Sequence, residues 1–263
     1  MGVVRVALVL LLAWVAAGCG PGPAVEAEPM ADRYDGPVHV ASGRAGAAGR
    51  VVECATPTIG GREEEPHVGE SGATPHAALE NLFMTELLSW PLDAFHVERS
   101  DADRVLYTVR SGGHPRMAAV VHLGRTSDGR RWFIESWARC DFAELPGALT
   151  DTVDVLVWTD ADGDRVPTQE VVSYPGPEHC DWQSMTFLET GGHTYVRAPS
   201  PDLRDFFAEP YDPARPLPAD AVDTGFERDD RHLWLSPDGR RAYVGDHSSV
   251  ELWPATAQHL GCA

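Results

Sequence analysis

The chain has no lysine: all 21 of its basic residues are arginine. Mechanisms built on a Schiff-base or P-loop lysine are therefore excluded. The arginine bias runs along the whole sequence and reflects a GC-rich genome. Short catalytic and metal-binding signatures are also missing. The eleven histidines are scattered, with no HExxH or HxH spacing, and there is no G-x-S-x-G, S-x-x-K or phosphate-binding glycine loop. Basic charge is scarce overall. Against 40 acidic residues it leaves a formal net charge of −19. Phosphate backbones repel such a chain, and it gains nothing from counterion release, which argues against a nucleic-acid partner.

Long apolar runs are nearly absent as well. The one that exists, residues 6–15, is preceded by Arg5 and followed by Ala16, Ala17, Gly18 and Cys19. A spanning helix needs ~20 apolar residues, so this run is short for a membrane span and fits a secretory signal. Ala-Ala-Gly-Cys resembles the lipobox of bacterial lipoproteins, with Ala16 where that family usually has Leu. The resemblance implies a signal peptide over 1–18, acylation of Cys19 and attachment to the extracytoplasmic face of the cell membrane through that lipid. After cleavage 20 basic residues face 40 acidic ones, a net −20. Anionic headgroups would repel this body, so the lipid is the plausible source of attachment.

Only five cysteines occur. Apart from Cys19 there are four, Cys54, Cys140, Cys180 and Cys262, an even number that reads as two disulfides in an exported chain. Three connectivities are open. Cys54–Cys140 with Cys180–Cys262 is preferred because it staples two successive halves. None of the four stands at the C-x₂₋₄-C spacing of zinc ligands.

The composition divides the chain into a signal (1–18), a Pro/Gly/Ala/Glu-rich tether (19–36), an α+β unit (37–145) and a β-rich unit (146–263). Residues 38–52 read as weakly ordered and 57–72 as a loop. One main helix is expected over 75–90. Thr74 is its N-cap, Pro75 its first residue, and Leu79, Leu82, Phe83, Leu87 and Trp90 form an apolar stripe. The period then changes to two. Strands are expected over 95–98, 104–110, 116–123 and 131–139, turning at Gly112-Gly113 and Asp128-Gly129. This order, a helix followed by an antiparallel meander, resembles cystatin-like or NTF2-like modules over residues 68–142. Hosts of that shape include binding modules and enzymes alike.

In the second unit, hairpins are expected over 153–174 about Asp162-Gly163, over 184–197 about Gly191-Gly192, and over 231–245 about Asp238-Gly239. An irregular crossing fills 200–220, and 250–253 is a last strand. The fold class is therefore α+β, mostly antiparallel, with roughly 25–35 % of residues in strands.

Asp160, Asp162 and Asp164 alternate as calcium-loop ligands do, and with Val166-Pro167 they resemble the DxDGDGxP repeats of extracellular proteins. Arg165 replaces a glycine and Val171 the twelfth-position carboxylate of that pattern, so an Asp-Gly turn competes with calcium binding. Cys180 stands beside His179 but is expected in a disulfide. Glu135, among aromatics on its strand, is an acid/base candidate if its face is buried. The expected role is a non-catalytic binding or envelope-associated module with a protein or small-molecule ligand. The alternatives are an extracytoplasmic hydrolase using dispersed Glu/Asp/His residues and a calcium-stabilised adhesion-like domain.

Overall fold

The period-two segments become strands in the computed structural model, which describes residues 33–62, 71–85, 94–126, 129–207 and 209–257. The fold is α+β with antiparallel meanders and hairpins. Among the described residues it is 45 % strand and 15 % helix.

In the first unit a short helix α1 (Ala48–Val51) is followed by strand β1 (Ile59–Arg62) and the main helix α2 (Pro75–Thr85). Then come β2 (His96–Ser100), β3 (Arg104–Ser111), β4 (His114–Thr126) and β5 (Gly129–Arg139), giving a sheet of order β1-β5-β4-β3-β2. Thr74 caps α2 as expected, accepting a hydrogen bond from the Ala77 N–H at 3.1 Å. The last five residues of the expected helix, 86–90, lie outside the described residues.

Strand alternation gives the sheet two buried faces. Val105, Tyr107, Val109, Met117, Ala119 and Val121 pack in one core with Ala78 and Leu79 of α2. Leu106, Ala118, Val120 and Ala138 face the other way, against Val38, Val40, Ala47, Ala48 and Val51. Residues 38–52, expected to be weakly ordered, are thus the layer that covers the second face. The expected loop at 57–72 contains β1, which pairs with β5. Gly60 permits that pairing: a Cβ there would meet the Trp137 carbonyl oxygen at 2.4 Å.

The folded body begins inside the expected tether. The Tyr34 N–H donates to Glu98 Oε1 at 2.9 Å, and Arg99 donates to the carbonyls of Asp35 and Gly36 at 2.6 and 2.9 Å.

The second unit opens with helix α3 (Gly147–Thr152), where only a Pro/Gly break was expected, and the strand expected from Val153 is shorter, beginning at Leu156. It continues with β6 (Leu156–Val157), β7 (Val171–Pro175), β8 (Thr186–Thr190) and β9 (His193–Arg197) in one sheet. A second sheet holds β10 (Asp212–Arg215), β11 (Val222–Arg228), β12 (Arg231–Leu235), β13 (Arg241–Asp246) and β14 (Ser249–Pro254), in the order β10-β14-β13-β12-β11. Single bridges join the two at both sides, Thr159 with Glu227 and Tyr195 with Ala255. The result is a closed ring, β6-β7-β8-β9-β14-β13-β12-β11. Its interior is filled by Trp158, Val171, Leu188, Tyr195, Leu233, Val244 and Trp253. Closure leaves few free strand edges.

The units share apolar core, with Leu149 and Val153 of the second packed in the α2 core of the first, and are further joined by polar contacts. Asp141, fully buried, accepts from the N–H groups of Ala143 (2.8 Å) and Thr168 (2.9 Å) and from the Thr168 hydroxyl (2.8 Å). Arg165 reaches back to the carbonyls of Leu145 (2.6 Å) and Phe142 (3.3 Å).

Candidate functional site

A β-bulge builds the clearest polar site. Val120 pairs with Ser136 and Val121 with Ile134, so Glu135 is the extra residue of β5. Strict alternation would put Phe133, Glu135 and Trp137 on one face. The bulge breaks that phase: Trp137 packs with Trp132 and Ile134 on the α2 side. Glu135 and Phe133 instead line a cleft of about 330 Å3 on the opposite face, with His39, Arg62, Arg104 and His122.

Glu135 is only 7 % exposed and its two oxygens are divided between partners. Arg104 Nε donates to Oε2 at 2.7 Å, and His39 Nδ1 lies 2.6 Å from Oε1. Arg104 also donates to Asp103 at 3.0 Å. His122 stands between the two carboxylates, Nε2 at 3.4 Å from Asp103 and Nδ1 at 3.7 Å from Glu135, with its ring edge against Phe133. Burial and then the nearby Arg104 charge lower the His122 pKa, outweighing the pull of the two carboxylates. Burial pushes the Asp103 carboxyl up, but Arg104 and His122 together hold it below its ordinary value.

Three carboxylates elsewhere behave alike. Burial raises Glu98, Glu144 and Glu251, while hydrogen bonds and arginine charges pull harder and leave each pKa lowered. A pH dependence of stability follows. The His122 contribution is complete above the unfolded value of about 6.5 and is lost as pH falls towards the lower folded value, because the unfolded ring takes up a proton that the folded one refuses. The three carboxylates contribute above about 4.5 and lose their contribution as pH falls through their lowered values. Thermal melting should therefore weaken slightly from pH 6.5 downwards and steeply below pH 4.5. In His122→Gln the first step should vanish and the second persist.

The residues singled out from sequence are distributed over the fold. Cys54 and Cys140 form a disulfide with Cα atoms 5.1 Å apart. Cys180 is disulfide-bonded too, which removes it as a nucleophile, while Cys19 and Cys262 lie outside the described residues. Asp160 Oδ1 is spent on the turn, accepting from the N–H groups of Asp162 (3.0 Å) and Asp164 (2.9 Å). Among the described residues no group of three or more His, Cys, Asp or Glu side chains could hold a metal ion. The Asp-Gly turn accounts for this segment without calcium.

Glu135 was visible in the sequence, but its partners were not. His39 comes from a segment without periodicity. Arg104 and His122 are ordinary polar positions of strands until cross-strand register pairs them. Comparisons with protein-family models, curated proteins and solved structures found no match to this chain.

Proposed function

We propose that this chain is a lipid-anchored protein of the extracytoplasmic membrane face, held through Cys19, and that its body is a non-catalytic module that binds a small polar ligand. The observation that carries the binding part is the division of the Glu135 carboxylate between His39 and Arg104. Ionisable side chains are spent on one another there, and no serine, threonine or cysteine is among the described residues lining the cleft. Its volume of about 330 Å3 lies at the lower end of the range for small-molecule sites, ~300–1,000 Å3.

Export is supported by the Cys54–Cys140 bond and the lipobox-like Ala16-Ala17-Gly18-Cys19. No helix among the described residues is long and apolar enough to cross a membrane. A second reading, an acid–base hydrolase, draws on His122 standing between two carboxylates.

Cell fractionation tests the anchor. The wild-type protein should sediment with membranes, and Cys19→Ala should move it to the soluble fraction with an unchanged melting temperature. Equal sedimentation of both would refute anchoring through Cys19.

A further inference from the structure

The closed barrel has a second polar site, unrelated to the cleft. At one end of the ring lies a cavity of about 140 Å3, and every strand of the ring sends at least one side chain into its wall. That volume is below the ~300 Å3 of drug-sized sites, so it admits a small group only. The wall holds three guanidinium groups, Arg197 from β9, Arg228 from β11 and Arg231 from β12, together with the Asp229 carboxylate, and is backed by the buried indoles of Trp158 and Trp253.

Strand phase puts these arginines inside. Arg197 is two residues from Tyr195, Arg228 two from Phe226 and Arg231 two from Leu233, all of which belong to the barrel core. Glu251 shares that phase with Trp253. It accepts from Arg197 Nε at 2.8 Å and from the Trp253 indole N–H at 2.8 Å, and its other oxygen lies 2.9 Å from Arg231. Two carboxylates, Glu251 and the more exposed Asp229, thus stand against three cations. Asp229, beside Arg228 at 3.1 Å, is 77 % exposed and screened by solvent.

Internal neutralisation of Glu251 requires one guanidinium, or two with the bidentate sharing seen here. The third, Arg228, pairs with Asp229 at 3.1 Å, which leaves one positive charge in excess at the site. The three arginine side chains are 25–41 % exposed, and their excess of positive charge occurs in a chain whose net charge is −19. Guanidinium forks are suited to the oxygens of phosphate and carboxylate groups.

We propose that this barrel mouth is a binding site for a small oxyanion, a phosphate or carboxylate group, held by Arg197, Arg228 and Arg231. Arg228 is the one of the three that does not hold Glu251: it pairs with the exposed Asp229 and donates to the Val157 carbonyl at 3.3 Å, whereas Arg197 and Arg231 share Glu251.

Calorimetric titration of the full exported chain carrying Cys19→Ala, with inorganic phosphate, sulfate and acetate at constant ionic strength, tests the site. One-site saturation is expected with a Kd of about 1 mM or lower for at least one of the three anions. The rank of the anions separates a tetrahedral from a planar preference. Arg228→Gln should weaken binding about tenfold, the loss of one charge-assisted contact, with Arg228→Lys intermediate. Asp229→Asn should bind at least as well as the wild type. Absence of saturable binding by all three anions, or equal affinity in folded Arg228→Gln, would overturn the proposal. The wild-type titration decides even if a variant fails to fold.

Discussion

Replacing Cys54 and Cys140 together by serine is expected to lower the free energy of unfolding by about 4–5 kcal/mol. The bond closes a loop of 86 residues, and chain-entropy loss in the unfolded state grows with the logarithm of that length. For a chain of this size the melting temperature should fall by about 10–15 °C. The bond joins the end of the layer formed by residues 38–52 to the end of β5, so its loss should first loosen the cover over Leu106, Ala118 and Val120. Complete unfolding is not expected. Glu144 ties the same segment down independently, accepting from the N–H groups of Ala55 (2.8 Å) and Thr56 (3.0 Å) and from Arg116 (2.8 Å). Denaturant titration of the double variant is the check, and a change under about 1 kcal/mol would mean that the denatured chain is already constrained there.

Asp141→Ala should be nearly as damaging, by about 3–5 kcal/mol. The substitution removes the acceptor for two backbone N–H groups and one hydroxyl at a site without water access. It also strips a counter-charge from the half-buried Arg139, whose pKa desolvation lowers to about 10 against the opposing pull of Asp141. Ala143 belongs to the first unit and Thr168 to the second, so the loss is directional: the units should come apart before either unfolds. A single urea transition in the wild type should become two in Asp141→Ala, with Asp141→Asn between them. One unsplit transition at nearly wild-type midpoint would show that Arg165 and apolar contacts suffice to hold the units together.

The parts of this fold that could be read from sequence are those where alternation and turn chemistry agree. Strands β3, β4 and β5 and the hairpins at Gly191-Gly192 and Asp238-Gly239 fall where expected, because an apolar face every second residue ends at residues that tolerate positive φ. The strand β1 is invisible because Ile-Gly-Gly-Arg carries no alternation, and its glycines answer to a neighbour, Trp137, that only the folded sheet brings close. Strand β11 is hidden by a register shift between Asp223 and Phe226, with Gly225 in the left-handed region. Barrel closure rests on two single bridges between residues far apart in sequence, which no local signal encodes.

The same contrast holds for the sites. Glu135 stood out because a carboxylate among aromatics is chemically unusual. Alternation correctly places it on the face of Phe133, but the bulge turns Trp137, which alternation puts on that face too, to the other side. The arginines of the barrel mouth lie on four separate strand ends with Glu251, and register alone collects them.

Mass spectrometry of the mature N-terminus, on protein recovered from membranes, bears most directly on the proposed anchoring. It should find a chain beginning at Cys19 and carrying a mass increment of acyl chains on that residue. Unmodified Cys19, or a chain cleaved at another position, would contradict it.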